Sequence, residues 1–330
     1  MSCGWSKAMS TRNAALAAIL ILTLTGAGLY GQNVISTQAG LINHTEGAVF
    51  LNDKPVARSG IRFEQMRNMD RLRTGAGRAE VLLNPGTFLR LGQNSSVELL
   101  SSRITAPELR LLEGTAVMEA LEIPKGSKVT LLTESATITV AKRGLYRLDH
   151  SPARLRVFDG QAEVAAGEGK LTVKRSREVL LEQQLVAVKF NRKLTDKLDH
   201  WSRVRAEILA RANLAGAQSY RNRSGLSFWG WDPELGVYTF FPRSGLYISP
   251  YGFYFYSPGA VYYYYGPDTQ AGGGSASYGS ASSSAAQPSV SPGAWSGQSA
   301  GAAAGASARE SGVSHTGPSS NSRSSGRIGP

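Results

Sequence analysis

Cysteine is nearly absent. The single one, Cys3, lies before the chain's one sustained apolar run, so it cannot be the acylated residue that follows a lipoprotein signal. Removal of that run as a signal would leave no thiol, which excludes disulfides, thiolate metal ligands and a cysteine nucleophile. Histidine is scarce as well. His44, His150, His200 and His315 stand alone, without a second ligand at metal spacing, and read as structural or exposed residues. There is no Gly-x-Ser-x-Gly elbow, and Gly75-Ala-Gly77 lacks the lysine and helix start of a phosphate loop. No pair of carboxylates sits in a suggestive setting. The sequence therefore nominates no catalytic, metal or cofactor residue, and the expectation is a protein that is not an enzyme and uses no cofactor.

Long hydrophobic stretches are also missing. The longest, Ala14 to Thr25, falls short of the roughly 20 residues that cross a bilayer. With Lys7 and Arg12 before it and Gly26-Ala27-Gly28 after it, residues 1–31 have the layout of an export signal, cut between Ala27 and Gln32. An uncleaved N-terminal anchor is the alternative, since Leu29 and Tyr30 lengthen the apolar run. Either way the remainder is expected in the periplasm or cell envelope, with membrane association confined to this segment.

Acidic residues are outnumbered: 24 Asp and Glu face 36 Lys and Arg, a formal net charge of +12. Such a balance in an exported chain points to an envelope protein or to an acidic glycan or lipid, and not to nucleic acid. The densest basic cluster is Arg58, Arg62, Arg67, Arg71, Arg73 and Arg78, partly offset by Glu64, Asp70 and Glu80. If several of these arginines share a face, their guanidinium forks suit a carboxylate or phosphate.

That cluster leads into the stretch around which the chain is organised, Asp70 to Leu99. An Arg/Gly turn feeds Ala79–Leu83. Asn84-Pro85-Gly86 turns the chain into Thr87–Leu91, and Gly92–Ser95 turns it into Val97–Leu100. Proline presets its φ and glycine accepts positive φ, so the pattern reads as three short strands in a meander. Further short runs follow to residue 190, among them Glu108–Leu112, Ala136–Val140, Leu145–Leu148, Leu155–Phe158 and Leu185–Phe190. Several alternate apolar with polar residues, the period of a half-buried strand.

The same stretch resembles the FecR periplasmic domain. Gly47-Ala-Val49, Asp70, Leu72, Thr74, Gly75, Gly77, Leu89, Leu91, Gly92, Asn94 and Ser95 follow that family's pattern in order, and Leu109 to Gly114 follows its next step. Asn-Pro-Gly stands where the family has Asp-Gly. The resemblance covers about Gly40 to Phe190, and implies a β-rich envelope domain for sensing or binding rather than catalysis. Family members that regulate sigma factors carry a cytoplasmic helical domain ahead of their membrane span. Only about a dozen residues precede the apolar run here, so that role is not carried over.

The expected fold is all-β, a FecR-like sandwich or roll or a short β-solenoid over residues 40–190, with three appendages. Residues 192–216 read as an amphipathic helix, apolar at Leu198, Trp201, Val204, Ile208, Leu209 and Ala212, capped by Thr195 and ended by Gly216. Residues 226–267 hold a Gly-apolar-Tyr…Pro unit repeated four times, the last as Ala260-Val-Tyr. Each unit reads as an extended arm and a turn. Its aromatic residues, including Trp229, Trp231, Tyr238, Tyr247, Tyr254 and Tyr262, form either a packing ribbon or an exposed stripe for sugar faces and peptides. Residues 268–330, rich in Gly, Ser and Ala, read as disordered. The expected function is a non-catalytic binding or scaffold module for another envelope protein or a glycan. The alternative is a membrane-tethered signal-transduction component working through a separate partner.

Overall fold

Alternating strands of four to six residues cannot bury their apolar faces singly, and the computed structural model pairs them into two facing sheets. It describes residues 38–56, 63–223 and 225–265, the last four by backbone alone. The first sheet has eight strands in the order β1 (Leu41–Glu46), β5 (Arg78–Leu82), β6 (Thr87–Leu91), β9 (Thr115–Ala120), β12 (Gly144–Asp149), β13 (Arg154–Asp159), β16 (Arg177–Leu180) and β17 (Val188–Lys189). The second has nine: β3 (Lys54–Pro55), β2 (Val49–Leu51), β4 (Arg71–Thr74), β7 (Ser96–Ser101), β8 (Glu108–Glu113), β10 (Val129–Leu132), β11 (Thr137–Val140), β14 (Gln161–Ala166) and β15 (Gly169–Lys174). Apart from the exchange of β2 and β3 at one edge, both orders follow the sequence. The chain lays one to three strands in one sheet, crosses to the other, and advances. It is a sandwich in its layers and solenoid-like in its winding. All pairings are antiparallel except β8 with β10.

This winding corrects the expected meander. β5 and β6 are neighbours, with Val81 opposite Leu89, but β7 lies in the other sheet, paired with β4 and β8. The Gly92–Ser95 turn is a crossover. Between the sheets lie Leu72, Val81, Leu89, Val97, Leu109, Ile138, Tyr146 and Leu155, all buried. Each such side chain contributes about 1.5–3 kcal/mol relative to exposure.

The residues that carry the family resemblance meet where the chain crosses between sheets. Thr74 donates through Oγ1 to the Gly92 carbonyl (2.6 Å) and accepts from the Ser95 amide (2.9 Å). Ser95 Oγ accepts from the Thr115 amide at 2.9 Å. A Cβ on Gly77 would lie 2.5 Å from the carbonyl oxygens of both Glu46 and Ala48. A Cβ on Gly114, whose φ is +74°, would lie 2.5 Å from the Asn94 carbonyl oxygen. Small residues are required because backbones touch there. The motif is a crossover joint.

Beyond the sandwich, α1 (Lys197–Gly216) begins one residue later than expected. Asp196 is the cap, not Thr195: its Oδ1 accepts from the amides of Leu198 and Asp199, while Asp199 Oδ2 accepts from the Asp196 amide. A carboxylate in this reciprocal box serves the orphan amides and the positive end of the helix dipole together. Gly216 does not stop the chain but closes the helix into a 3₁₀ turn, Ala217–Tyr220. Two hairpins follow, β18 (Phe228–Asp232) with β19 (Val237–Phe241) and β20 (Leu246–Ile248) with β21 (Tyr254–Tyr256). The first three repeat units are extended arms, entered through Gly236, Gly245 and Gly252 at φ +61°, +69° and +92°. The fourth is not. Alanine stands at 260 where the other units have glycine, and this stretch is helical, α2 (Pro258–Tyr265). Among the described residues no helix is long and apolar enough to cross a membrane. The expected export segment and disordered tail lie outside the described residues.

Candidate functional site

The outer face of the eight-stranded sheet is charged, and α1 buries it. Glu80 on β5 accepts from Arg90 Nε on β6 (2.8 Å), from Arg205 Nη2 on α1 (2.8 Å) and from Asn43 Nδ2 on β1 (2.9 Å). Arg90 Nη1 donates to Glu119 Oε2 on β9 at 2.7 Å. Arg90, Glu80 and Glu119 are wholly buried and Arg205 is 3% exposed. Burial alone would raise the Glu80 carboxyl, but the guanidiniums of Arg205 and Arg90 reverse this and hold it at about 2. Glu119 goes the other way. Burial outweighs Arg90 and pushes its carboxyl up. Arg90 Nη2, Arg205 Nε, Glu119 Oε1 and the hydroxyls of Ser202 and Tyr251 are buried without a well-formed hydrogen bond, so this layer carries more hydrogen-bonding capacity than it uses.

A second cluster secures the start of α1. Arg147 on β12 donates to Asp149 (3.0 Å), Asp196 (2.6 Å) and Asp199 (2.9 Å), and Arg156 reaches Asp149 at 2.7 Å. Burial would raise Asp196, but Arg147 and the backbone amides bring it down to about 2. Burial raises its neighbour Asp199. The sequence pattern placed Val204 on the docked face, yet Val204 is 38% exposed, while Ser202, Arg205 and Asn213 are buried. Leu198, Trp201, Leu209 and Ala212 of the expected stripe are buried, and ion pairs and hydrogen bonds join them in orienting this helix.

Beside these clusters runs an open groove of about 1010 Å³. Its walls are the first turns of α1, the sheet face at Leu145 and Phe158, the segment 192–195, and the β20–β21 turn at Ser249–Gly252. Its charge is one-sided. The three acidic residues lining it are already engaged: Asp159 with Arg175 (3.3 Å), Asp199 with Arg147 (2.9 Å) and Glu207 with Arg211 (2.6 Å). Arg143, Arg192, Lys193 and Arg203 also line it, and none pairs with a carboxylate among the described residues. Arg143 donates to the Ile248 carbonyl at 3.2 Å and Arg192 to that of Phe158 at 3.1 Å. These bonds fix both guanidiniums while leaving their charge uncompensated. Arg203 stands 5.6 Å from the Phe253 ring centroid.

The residues singled out from sequence lie elsewhere. Arg58 and Arg62 fall outside the described residues. Arg71 and Arg73 share the outer face of the nine-stranded sheet. Arg71 bonds Ser96 and sits 3.9 Å from Glu113, and Arg73 lies 3.4 Å from Asp53 and 4.4 Å from the Phe50 ring centroid. Arg67 is exposed in the preceding loop. Arg78 belongs to the opposite sheet, 5.7 Å from the Trp201 ring. The four described arginines of this cluster therefore form no single patch. Of the aromatics, Trp229 is buried edge-on to Phe88 at 5.0 Å, Trp231 and Tyr238 each pack on Phe63 at 5.0 Å, and Tyr247 packs on Phe240 at 6.0 Å. Tyr254, 43% exposed, faces outward, and the side chain of Tyr262 lies outside the described residues. Most of the aromatic segment is packing. The groove cations were missed because they are far apart in sequence. The signal for three of the four was two basic doublets in turn regions, Lys142-Arg143 and Arg192-Lys193. Among the described residues no cluster of three or more His, Cys, Asp or Glu could hold a metal ion.

Residues 70–163 match the family model described as FecR protein. The span runs from the residue before β4 into β14, and so covers the middle of both sheets and stops before α1. No curated protein matches the chain. Two solved structures, each described as a candidate anti-sigma factor from Parabacteroides distasonis ATCC 8503, are similar to it. The one at 1.65 Å is 13% identical, with a TM-score of 0.34, over 40% of this chain and 64% of its own length. The one at 2.50 Å is 14% identical, with a TM-score of 0.32, over 46% of this chain and 73% of its own.

Proposed function

We propose that this protein is a non-catalytic binding module of the bacterial envelope, whose FecR-type sandwich holds a recognition surface for another envelope protein. The observation that carries the reading is the groove beside α1. Four cations there stand without carboxylate partners, two of them held by backbone carbonyls, on a wall built by the sheet, the helix and the second hairpin. A surface that is fixed in place and uncompensated in charge is suited to binding a partner of opposite charge. The FecR match over residues 70–163 supports an envelope setting and a protein partner.

In-cell crosslinking of the tagged full-length chain, followed by mass spectrometry of the envelope fraction, tests this. The expected result is a specific crosslinked envelope protein and a mature N-terminus between Ala27 and Gln32. An intact N-terminus with the same partner would make the protein a tethered signalling component. Release from cell-wall material by salt, with no protein crosslinked, would overturn the protein-partner reading in favour of a glycan binder.

A further inference from the structure

Deepening that reading, and resting on it, we infer that the groove beside α1 recognises an acidic peptide segment of the partner, one in which carboxylates alternate with apolar side chains. Two features select this class. The first is charge. With Asp159, Asp199 and Glu207 each engaged by an arginine, the cations that remain are Arg143, Arg192, Lys193 and Arg203. Three of the four are guanidiniums, which take carboxylates in a bidentate fork. The second is the apolar surface between them. Val204, 38% exposed, faces the opening from the helix, and half-buried Pro250 faces it from the β20–β21 turn, while Leu145 and Phe158 lie buried in the sheet wall behind them. A polyanionic sugar would use the cations and leave Val204 and Pro250 in water. A peptide with acidic and apolar residues in alternation uses both, because successive side chains of an extended segment point to opposite sides. The exposed aromatic ring face that sugar binding favours is found outside the groove, at Tyr254.

The test uses the full-length protein and a short fluorescein-labelled peptide of alternating Glu and Leu, followed by anisotropy. The same peptide with Gln for Glu, and polygalacturonate as competitor, are the controls. The Glu peptide should bind, weaken as salt is raised, and lose at least about tenfold in affinity on combined Arg143→Gln, Arg192→Gln and Lys193→Gln. Lys193→Glu guards against misfolding, because the Lys193 ammonium makes no ion pair or hydrogen bond among the described residues. This variant should keep the wild-type melting temperature and still bind at least about threefold more weakly. Arg71→Gln with Arg73→Gln, on the opposite sheet, should bind like wild type. Equal binding of the Gln peptide, unchanged affinity in the groove variants, or preference for polygalacturonate would overturn the proposal. Photo-crosslinkers placed in cells at Val204 and at Thr139, on the far sheet, separate the two levels. A partner captured only from Thr139 removes the groove and leaves the binding module standing. No partner from either position removes the binding module itself.

Discussion

Glu80→Gln is the most telling perturbation of the charged layer. The carboxylate accepts from Arg90, Arg205 and Asn43 in a site with no solvent exposure, and Arg205 comes from a helix 125 residues away in sequence. An amide keeps the shape but removes the charge that offsets two buried guanidiniums. Breaking one partner of such a buried pair costs about 3–5 kcal/mol. Linkage gives an independent figure. The Glu80 carboxyl sits at about 2 in the folded protein against 4.5 ordinarily, worth about 3 kcal/mol. Because the folded value is depressed, this stability is fully present above pH 4.5 and is lost as the pH falls from there toward 2. Glu119, whose carboxyl is raised, has the opposite sign, and its contribution is lost as the pH rises through the raised value. Urea denaturation at pH 7 and pH 3 resolves these contributions. Glu80→Gln should lower stability by about 3–5 kcal/mol at pH 7 and shrink the wild-type difference between the two pH values by about 2 kcal/mol, since a group at about 2 is still mostly ionised in the folded protein at pH 3. A variant within about 1 kcal/mol of wild type at pH 7, with the acid dependence intact, would show that the layer is not what holds α1 to the sheet.

Three further outcomes follow from local geometry. Gly114→Ala, with positive φ and a backbone oxygen 2.5 Å from the new methyl, should lower stability by about 2–4 kcal/mol in thermal or urea unfolding. Gly126→Ala, at φ +83° but facing open space, should cost only about 1 kcal/mol in the same assay. Asp196→Ala removes the helix cap together with the 2.6 Å contact to Arg147 and should cost about 1–2 kcal/mol, seen as faster amide exchange in the first turn of α1.

Much of the sandwich was legible in the sequence because strand period and turn chemistry are local. Ile138 and Val140 alternate with Thr137 and Thr139, and β11 is found there with that burial pattern. What was not legible is where the chain changes sheets. Nothing in Gly92–Ser95 distinguishes a hairpin turn from a crossover, since both need a tight, glycine-tolerant bend. The deciding contacts, Thr74 to Gly92 and Ser95 to Thr115, come from strands distant in sequence. The same residues made the family recognisable, and their role is to let backbones meet. A family signature made of crossover joints identifies a fold and is silent on the ligand, which is why the groove cations had to be found in space.

The helix shows the same limit from the other side. Read by residue type alone, Ser202, Arg205 and Asn213 belong in solvent, although the helical period sets them on or beside the stripe of Leu198, Trp201, Leu209 and Ala212. Arg205 and Asn213 are buried because partners are offered there: Glu80 on the sheet for Arg205, and on the hairpins, for Asn213, the carbonyls of Phe240 and Tyr256 with the amide of Tyr256. Asn213 thus ties α1 to both hairpins through one side chain, at 2.8, 2.9 and 2.7 Å. An apolar residue there would remove all three hydrogen bonds, at about 0.5–1.5 kcal/mol each, so Asn213→Leu should loosen both hairpins while the sandwich keeps its own core. The groove depends on the β20–β21 turn, so the same substitution should weaken ligand binding without touching a groove residue. Amide exchange that accelerates in β19 to β21 and not in β5 or β9 is the expected record of that coupling. Uniform acceleration across the sheets would mean that the helix, the hairpins and the sandwich unfold as one unit.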